Sequence, residues 1–216
     1  MEKGINNEHS CVDCGTQNCK YKNRTYPEFC LTTNLDESDR LWALEKYEES
    51  NNKAIMIASA EVEYEGYCKW TRVQEIMEFA HKINAKRIGI ANCIGLINEA
   101  RIFAKILRAN GFEPFAVICK VAGQSKTSVG IPSECENIGA AMCNPILQAR
   151  LLNQANTDLN VVIGLCVGHD SLFYKYSNAY VTTLATKDRV TGNNPAAALY
   201  TANSYYNKKF FKKAIE

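Results

Sequence analysis

Cysteine dominates the chemistry available to this chain, with ten in 216 residues, and the ten fall into two sets. The first is local. Cys11-Val-Asp-Cys14, Cys19 and Cys30 follow the order C-x2-C-x4-C-x10-C. A two-residue gap lets both sulfurs of one turn face one ion, and Gly15 allows the tight backbone that such a knuckle needs. Four thiolates in a short segment poor in apolar residues suit a closed tetrahedral zinc site, whose binding supplies the folding energy that the segment lacks. An iron–sulfur cluster takes the same number of thiolates. The plant order, C-x4-C-x2-C, and the bacterial order, C-x2-C-x2-C, both differ from this spacing, which leaves zinc as the expected ion and the cluster as the alternative.

The second set is dispersed. Cys93, Cys119 and Cys166 each close an apolar run, at Asn92-Cys93, Ile118-Cys119 and Leu165-Cys166. His169 follows Cys166 by three residues, and Gly168 ahead of His169-Asp170-Ser171 marks a helix start. There the helix dipole lowers a thiol's pKa and favours anions. Three chemistries fit: a second metal ligated by thiolates with His169, a nucleophilic or redox thiolate, or a small ligand held by backbone N–H groups. Cys166 and His169 are the candidate catalytic pair, with Cys93, Cys119, Cys143 and Asp170 as the surrounding ligand set. Packing competes as a role for buried cysteines, and a capping role competes for His169. Cys68 is read as packing. Cys135 shares a helical segment with Cys143, while His9 and His81 are incidental.

These residues must be positioned by regular elements. Leu159-Asn-Val-Val-Ile-Gly-Leu165 is a continuous, mostly β-branched apolar run, expected as a strand buried on both faces and finishing at Leu165-Cys166. Ala54–Ala58, Arg87–Ala91, Phe112–Val121 and Ala179–Ala185 read as four more strands. Between them, Thr71–Ile83 carries Val73, Ile76, Met77, Ala80 and Ile83 along one helical stripe, and Leu96–Leu107 ends at Asn110-Gly111. A helix over Asp36–Glu49 is broken by Asn51-Asn52. Glu134–Asn153 reads as helical with an interruption at Pro145, and a final helix follows Asn193-Asn194-Pro195. The alternation predicts a Rossmann-like α/β domain: a mostly parallel sheet of about five strands with helices on both faces. In such a sheet the ends at Cys93, Cys119 and Cys166 share one edge, the edge where ligands bind. Residues 1–35 form the four-cysteine knuckle and residues 36–216 the α/β domain.

A hydrophobic content of 46% with a net charge of +2 describes an ordinary globular chain without a strong electrostatic partner. No apolar run approaches the roughly 20 residues of a membrane span, and the first residues lack the apolar core of a signal peptide. A cytoplasmic protein is therefore expected, in a compartment where cysteines serve metals or thiol chemistry rather than disulfides. Gly123–Gly130 lacks the order of a phosphate-binding P-loop and is expected as a loop over the site. Arg189 and the helix start after Pro195 could hold an anionic group. Tyr205-Tyr206 and Phe210-Phe211, interleaved with lysine pairs, are expected to pack on the core while the lysines reach solvent. No clear nucleic-acid or membrane partner emerges. An interaction module built on the zinc knuckle is a further alternative, and neither a reaction nor an oligomeric state can be read.

With these motifs assembled, the chain resembles the uncharacterised family called domain of unknown function 1847, commonly labelled metal-binding. The resemblance is carried by the Cys11, Cys14, Cys19, Cys30 quartet, Thr71-Arg-Val-Gln-Glu-Ile-Met-Glu-Phe79 and Arg87-Ile-Gly-Ile-Ala-Asn-Cys-Ile-Gly-Leu96. Cys143-Asn-Pro145 and Gly164-Leu-Cys-Val-Gly-His-Asp-Ser-Leu172 complete it. It implies a metal, zinc above all, at the N-terminal cysteines, and brings no reaction with it.

Overall fold

A computed structural model describes residues 8–211. The chain divides into two compact units, one ending at Ala60 and the other starting at Glu61. In the first, the cysteine segment makes only short turns: a 3-10 turn at Cys11–Asp13, then α1 (Asn18–Tyr21) and α2 (Leu31–Asn34). Among described residues up to 35 only Asn18 is buried. Its side chain substitutes for a core, accepting from the N–H groups of Asn23 (2.8 Å) and Arg24 (2.9 Å) and donating to the Arg24 carbonyl. α3 (Glu37–Glu48) follows, its N-terminus capped by the Asp36 carboxylate on the Ser38 N–H.

Ala54–Ala58 is not a strand. It lies inside α4 (Ser50–Gly66), and the break before α4 falls at Glu49 rather than Asn51-Asn52. A five-residue apolar run carries no period of its own, so its neighbours decide. No Gly or Pro interrupts residues 50–65, and alanine, methionine and glutamate favour helix. The burial follows suit: Ala58, Val62 and Gly66 turn inward at four-residue intervals, while Met56 and Ile57 are exposed.

The sheet therefore has four strands, not five: β1 (Arg87–Asn92), β2 (Glu113–Ile118), β3 (Leu159–Ile163) and β4 (Tyr180–Ala185). All pairings are parallel and the order is β2-β1-β3-β4. Side chains alternate between two covered faces. Ile88, Ile90, Leu159, Val161 and Ile163 pack with α5 (Arg72–Lys82) and α6 (Ile97–Ala109), through Ile76, Ala80, Phe103 and Leu107. Ala91, Val117 and Val162 face the other way, against Ala149 and Leu152 of α7 (Pro145–Gln154) and Phe173 of α8 (His169–Tyr176). A Rossmann-like α/β arrangement results.

Local signals account for the helix starts. Thr71 and Gln74 form a reciprocal cap at α5. Pro145 does not interrupt a helix but begins one, with Asn144 accepting the Leu147 N–H at 3.0 Å. Ahead of it, Ser133–Ile138 is a separate 3-10 helix. The C-terminal region is not one helix either: α9 (Ala196–Tyr200) and α10 (Asn207–Phe210) are separated by turns. Its aromatics pack on one another, Tyr206 on Tyr205 at 4.9 Å and on Phe210 at 5.1 Å between ring centres, and Tyr205, Phe210 and Phe211 stay exposed. Among the described residues, no helix is long and apolar enough to cross a membrane.

Candidate functional site

Three short turns carry the N-terminal quartet. Cys11 opens the 3-10 turn, held by Ser10 and Asp13, and the Cys14 N–H closes onto the Cys11 carbonyl at 3.3 Å. Cys19 lies in α1, and Cys30 is the residue that starts α2. All four line one cavity of about 80 Å³, together with Thr16, Tyr26 and Phe29, room enough for a single ion. Two of the thiols sit among donors. The Thr16 hydroxyl, then the N–H groups of Thr16 and Gln17, hold Cys14 below the usual thiol range. For Cys30 burial acts upward, but the N–H groups and hydroxyls of Thr33 and Thr32 outweigh it and the net shift is downward. Neutral or anionic sulfur facing donors, in a cavity with no lysine or arginine in its lining, suits a bound cation. Among the described residues, no three His, Cys, Asp or Glu side chains stand close enough to share an ion as placed.

The second set occupies the carboxyl ends of the strands. β1 is followed by β2 on one side and, after the chain crosses back, by β3 on the other, so the topology reverses beside β1. Backbone hydrogen bonds continue past the strands. The Cys93 N–H donates to the Ile163 carbonyl (3.0 Å), the Cys119 N–H to the Asn92 carbonyl (2.8 Å), and the Asn144 N–H to the Cys119 carbonyl (2.8 Å). Cys93, Cys119 and Cys143 thereby lie on adjacent stretches of backbone, with Cys93 and Cys119 buried and Cys143 partly exposed.

Their side chains follow one another along this edge: Cys93 and Cys119 share one buried cluster, Cys143 packs against it, and His169 at the start of α8 acts on Cys143. The Ile94 N–H adds a contact to the Cys119 sulfur at 3.3 Å. Cys119 keeps its proton, because donation to Cys143 and Cys93 and then burial all push its pKa up. Cys143 is drawn down to about 4 by the Cys119 thiol first, then by His169 and the nearby Lys120 charge. Cys93 is drawn down to about 5 by Cys119, against burial, with help from the Gly95 N–H and Lys187. Cys119 has one proton for two neighbours. Cys143 has His169 as a second donor, so the negative charge rests there first. His169 is correspondingly raised, by its bond to Cys143 above all.

Cations border this row. A side chain at Gly95 would stand 3.7 Å from the Lys187 amine and 3.9 Å from the Cys93 sulfur, so both flank this bare backbone. Arg189 Nη2 donates to the Cys166 sulfur at 3.1 Å, and this hydrogen bond above all raises the guanidinium's pKa. Gly164 permits the approach: at φ +67° any Cβ would lie 2.0 Å from Leu96 Cδ1 and 3.5 Å from the Lys187 stem. Asn92, fully buried beside Cys93, donates to the Cys93 carbonyl at 3.1 Å and leaves its Oδ1 without a partner.

Other candidates fall elsewhere. Asp170 does not enter the row; its carboxylate accepts the Ser171 N–H at 2.8 Å and acts on His169 only through its charge. Cys135 lies in the 3-10 helix of the long loop after β2, its carbonyl taken by the buried Lys126 amine. That loop is held to itself by a Ser125–Ala141 bridge and by Lys120 on the Ala141 carbonyl. Cys68 is exposed in a left-handed turn. His9 stacks near Phe29 and His81 near Phe112. Lys120 was not singled out in the sequence, and Lys187 was read only as the start of the stretch that carries Arg189, although each follows a strand end within two residues.

Among known proteins, residues 30–184 match the family model described as "Protein of unknown function (DUF1847)". An uncharacterised protein of Methanocaldococcus jannaschii is 48% identical over 169 residues, covering 78% of this chain and 86% of that protein. No solved structure matches. The family match takes in Cys30 and the whole thiol row, and begins after Cys11, Cys14 and Cys19.

Proposed function

The chain belongs to the DUF1847 family, and on that premise we propose that it is a metal-binding protein with a structural zinc at Cys11, Cys14, Cys19 and Cys30. A second site, lined by Cys93, Cys119, Cys143, Cys166 and His169 with Asp170 behind it, takes a small ligand at the sheet edge. The supporting observation is that all four N-terminal cysteines line one cavity, in a stretch whose one buried described residue is the polar Asn18. Bound zinc supplies a redox-inert cross-link among turns that have no apolar core. The residues around it do the rest: Asn18 fixes the following loop, and Thr16, Thr32 and Thr33 present donors to the sulfurs. Ten unpaired cysteines suit a reducing compartment, and a cytoplasmic location goes with this reading.

One observation favours a second reading, thiol-dependent chemistry at the sheet edge. A Cys143–His169 pair backed by a protonated Cys119 resembles the activated thiols of nucleophilic sites more than inert packing cysteines.

Anaerobic purification followed by elemental analysis and a visible spectrum tests the principal reading. One zinc per chain without colour is the expected result. Iron with sulfide absorption would replace zinc by a cluster, and metal-free protein would overturn the reading.

A further inference from the structure

The thiol row supports a more specific inference, which rests on reading the sheet edge as a ligand site and not on the N-terminal zinc. We propose that Cys143 and Cys119 form a dithiol that exchanges with small anionic disulfides, with Cys143 attacking and Cys119 resolving the mixed disulfide. Cys143 is the partly exposed member and Cys119 the buried one, which is the order that attack from outside and resolution from within require. Their backbones are joined through the Asn144 N–H to the Cys119 carbonyl at 2.8 Å, and Cys143 packs against the buried cluster that contains Cys119. A disulfide between them therefore needs only a short movement. Lys120, Lys187 and Arg189 give the edge a positive rim, and carboxylates on the incoming molecule would meet it.

Each step balances. The Cys143 thiolate attacks one sulfur of R–S–S–R, the S–S bond breaks, and Cys143–S–S–R forms with release of R–S⁻. His169, no longer facing a thiolate, gives its proton to that leaving group. Cys119 now has one anionic neighbour instead of two and passes its proton to Cys93, which shares its buried cluster. The Cys119 thiolate then attacks the Cys143 sulfur, forming Cys119–S–S–Cys143 and releasing the second R–S⁻. The external disulfide is reduced by two electrons to two thiol equivalents, and the protein dithiol is oxidised by the same two electrons. Cys93 ends as the proton holder, a role that explains a third cysteine in the row.

The test uses the full chain as purified, dithiobis-nitrobenzoate as the anionic probe and dithiodipyridine as the uncharged one, with cysteine-resolved peptide mapping. At pH 6 the expected product is a Cys119–Cys143 link. Cys119→Ser stops at a nitrobenzoate adduct on Cys143, and Cys143→Ser gives neither link nor adduct in this row. Lys187→Ala with Arg189→Ala slows the nitrobenzoate reaction about tenfold and changes the dithiodipyridine reaction less than about twofold, the signature of electrostatic steering. A Cys93–Cys119 link, or no link while Cys143 still alkylates with iodoacetamide, overturns the exchange and leaves the ligand site standing. A Cys143 that resists iodoacetamide overturns both. Equal slowing of the two probes removes the anionic preference from the proposal. Zinc content, measured in the same samples, reports on the N-terminal site separately.

Discussion

The two cysteine sets solve opposite problems. The N-terminal four lie within twenty residues of one another, in a stretch whose one buried described residue is the polar Asn18, and short turns alone carry them to one cavity. The sheet-edge cysteines come from positions 93, 119, 143 and 166 and are held by the sheet itself: β1 and β3 are buried on both faces, and backbone hydrogen bonds past the strand ends tie in Cys119 and Asn144. Donors differ too. Hydroxyls and backbone N–H groups face the first set, whereas a thiol, an imidazole and three long cations face the second. A segment that gathers its ligands suits a structural ion. A row held rigid, with its charges already unequal, suits chemistry.

The largest expected difference is therefore in what each region loses with its cysteines. Replacing Cys14 by Ser should abolish zinc retention and make residues 8–35 cleavable by protease, since a structural zinc supplies on the order of 10 kcal/mol of folding energy. The sheet unit should melt as before. Replacing Cys143 by Ser should do the reverse, leaving zinc and protease resistance intact. Proteolysis with parallel zinc analysis checks both, and zinc lost from the Cys143 variant would break the distinction.

A smaller effect is expected at Gly164. Alanine there would be strained at φ +67° and would place its Cβ 2.0 Å from Leu96 Cδ1, which should cost roughly 2–4 kcal/mol. Chemical denaturation should show this loss confined to the sheet unit, and a midpoint unchanged from the native chain would contradict the close approach of Lys187 and Leu96 at this turn.

The pH dependence sharpens the comparison further. Cys143, held at about 4, should alkylate with little loss of rate as the pH falls from 8 to 6, whereas a free thiol slows about a hundredfold over that range. His169→Ala should restore part of that slope. Folded-state charge also has consequences for stability. The contribution of the Cys143 thiolate is present above the free thiol's pKa and is lost as pH falls towards 4. That of His169 is present below imidazole's ordinary value and is lost as pH rises through its raised one. Rate against pH, followed at Cys143 by mass spectrometry, decides the matter.

The smallest effect belongs to a cap remote from both sets. Thr71→Ala removes the oxygen that starts α5 and should lower the stability of the sheet unit by about 1 kcal/mol without touching zinc or Cys143 reactivity.

Much of this edge was legible in the sequence because a parallel sheet sends every strand end the same way. Recognising Arg87–Ala91 and Leu159–Ile163 as strands was enough to place Cys93 and Cys166 on one side. The members were named together from the sequence, but which lies against which was not legible. It depends on the strand order, which puts β1 between β2 and β3, and on the Asn144 N–H that brings Cys143 against Cys119 rather than leaving it with Cys135. The reach of Lys187 to Cys93 was not legible because a long side chain's course is set by what lies beneath it, here Gly95 and Gly164. Ala54–Ala58 misled because so short an apolar run takes its conformation from its flanks. Asn18 carried no signal in composition; its importance comes from three hydrogen bonds to residues five and six positions on.

Native mass spectrometry of the full chain, purified without oxygen, tests the separation of roles most directly. The account predicts one zinc per chain, retained when Cys93, Cys119 and Cys143 are all replaced by serine and lost when Cys14 and Cys30 are. An ion that stays with the sheet-edge cysteines, or a chain that carries none, would contradict it.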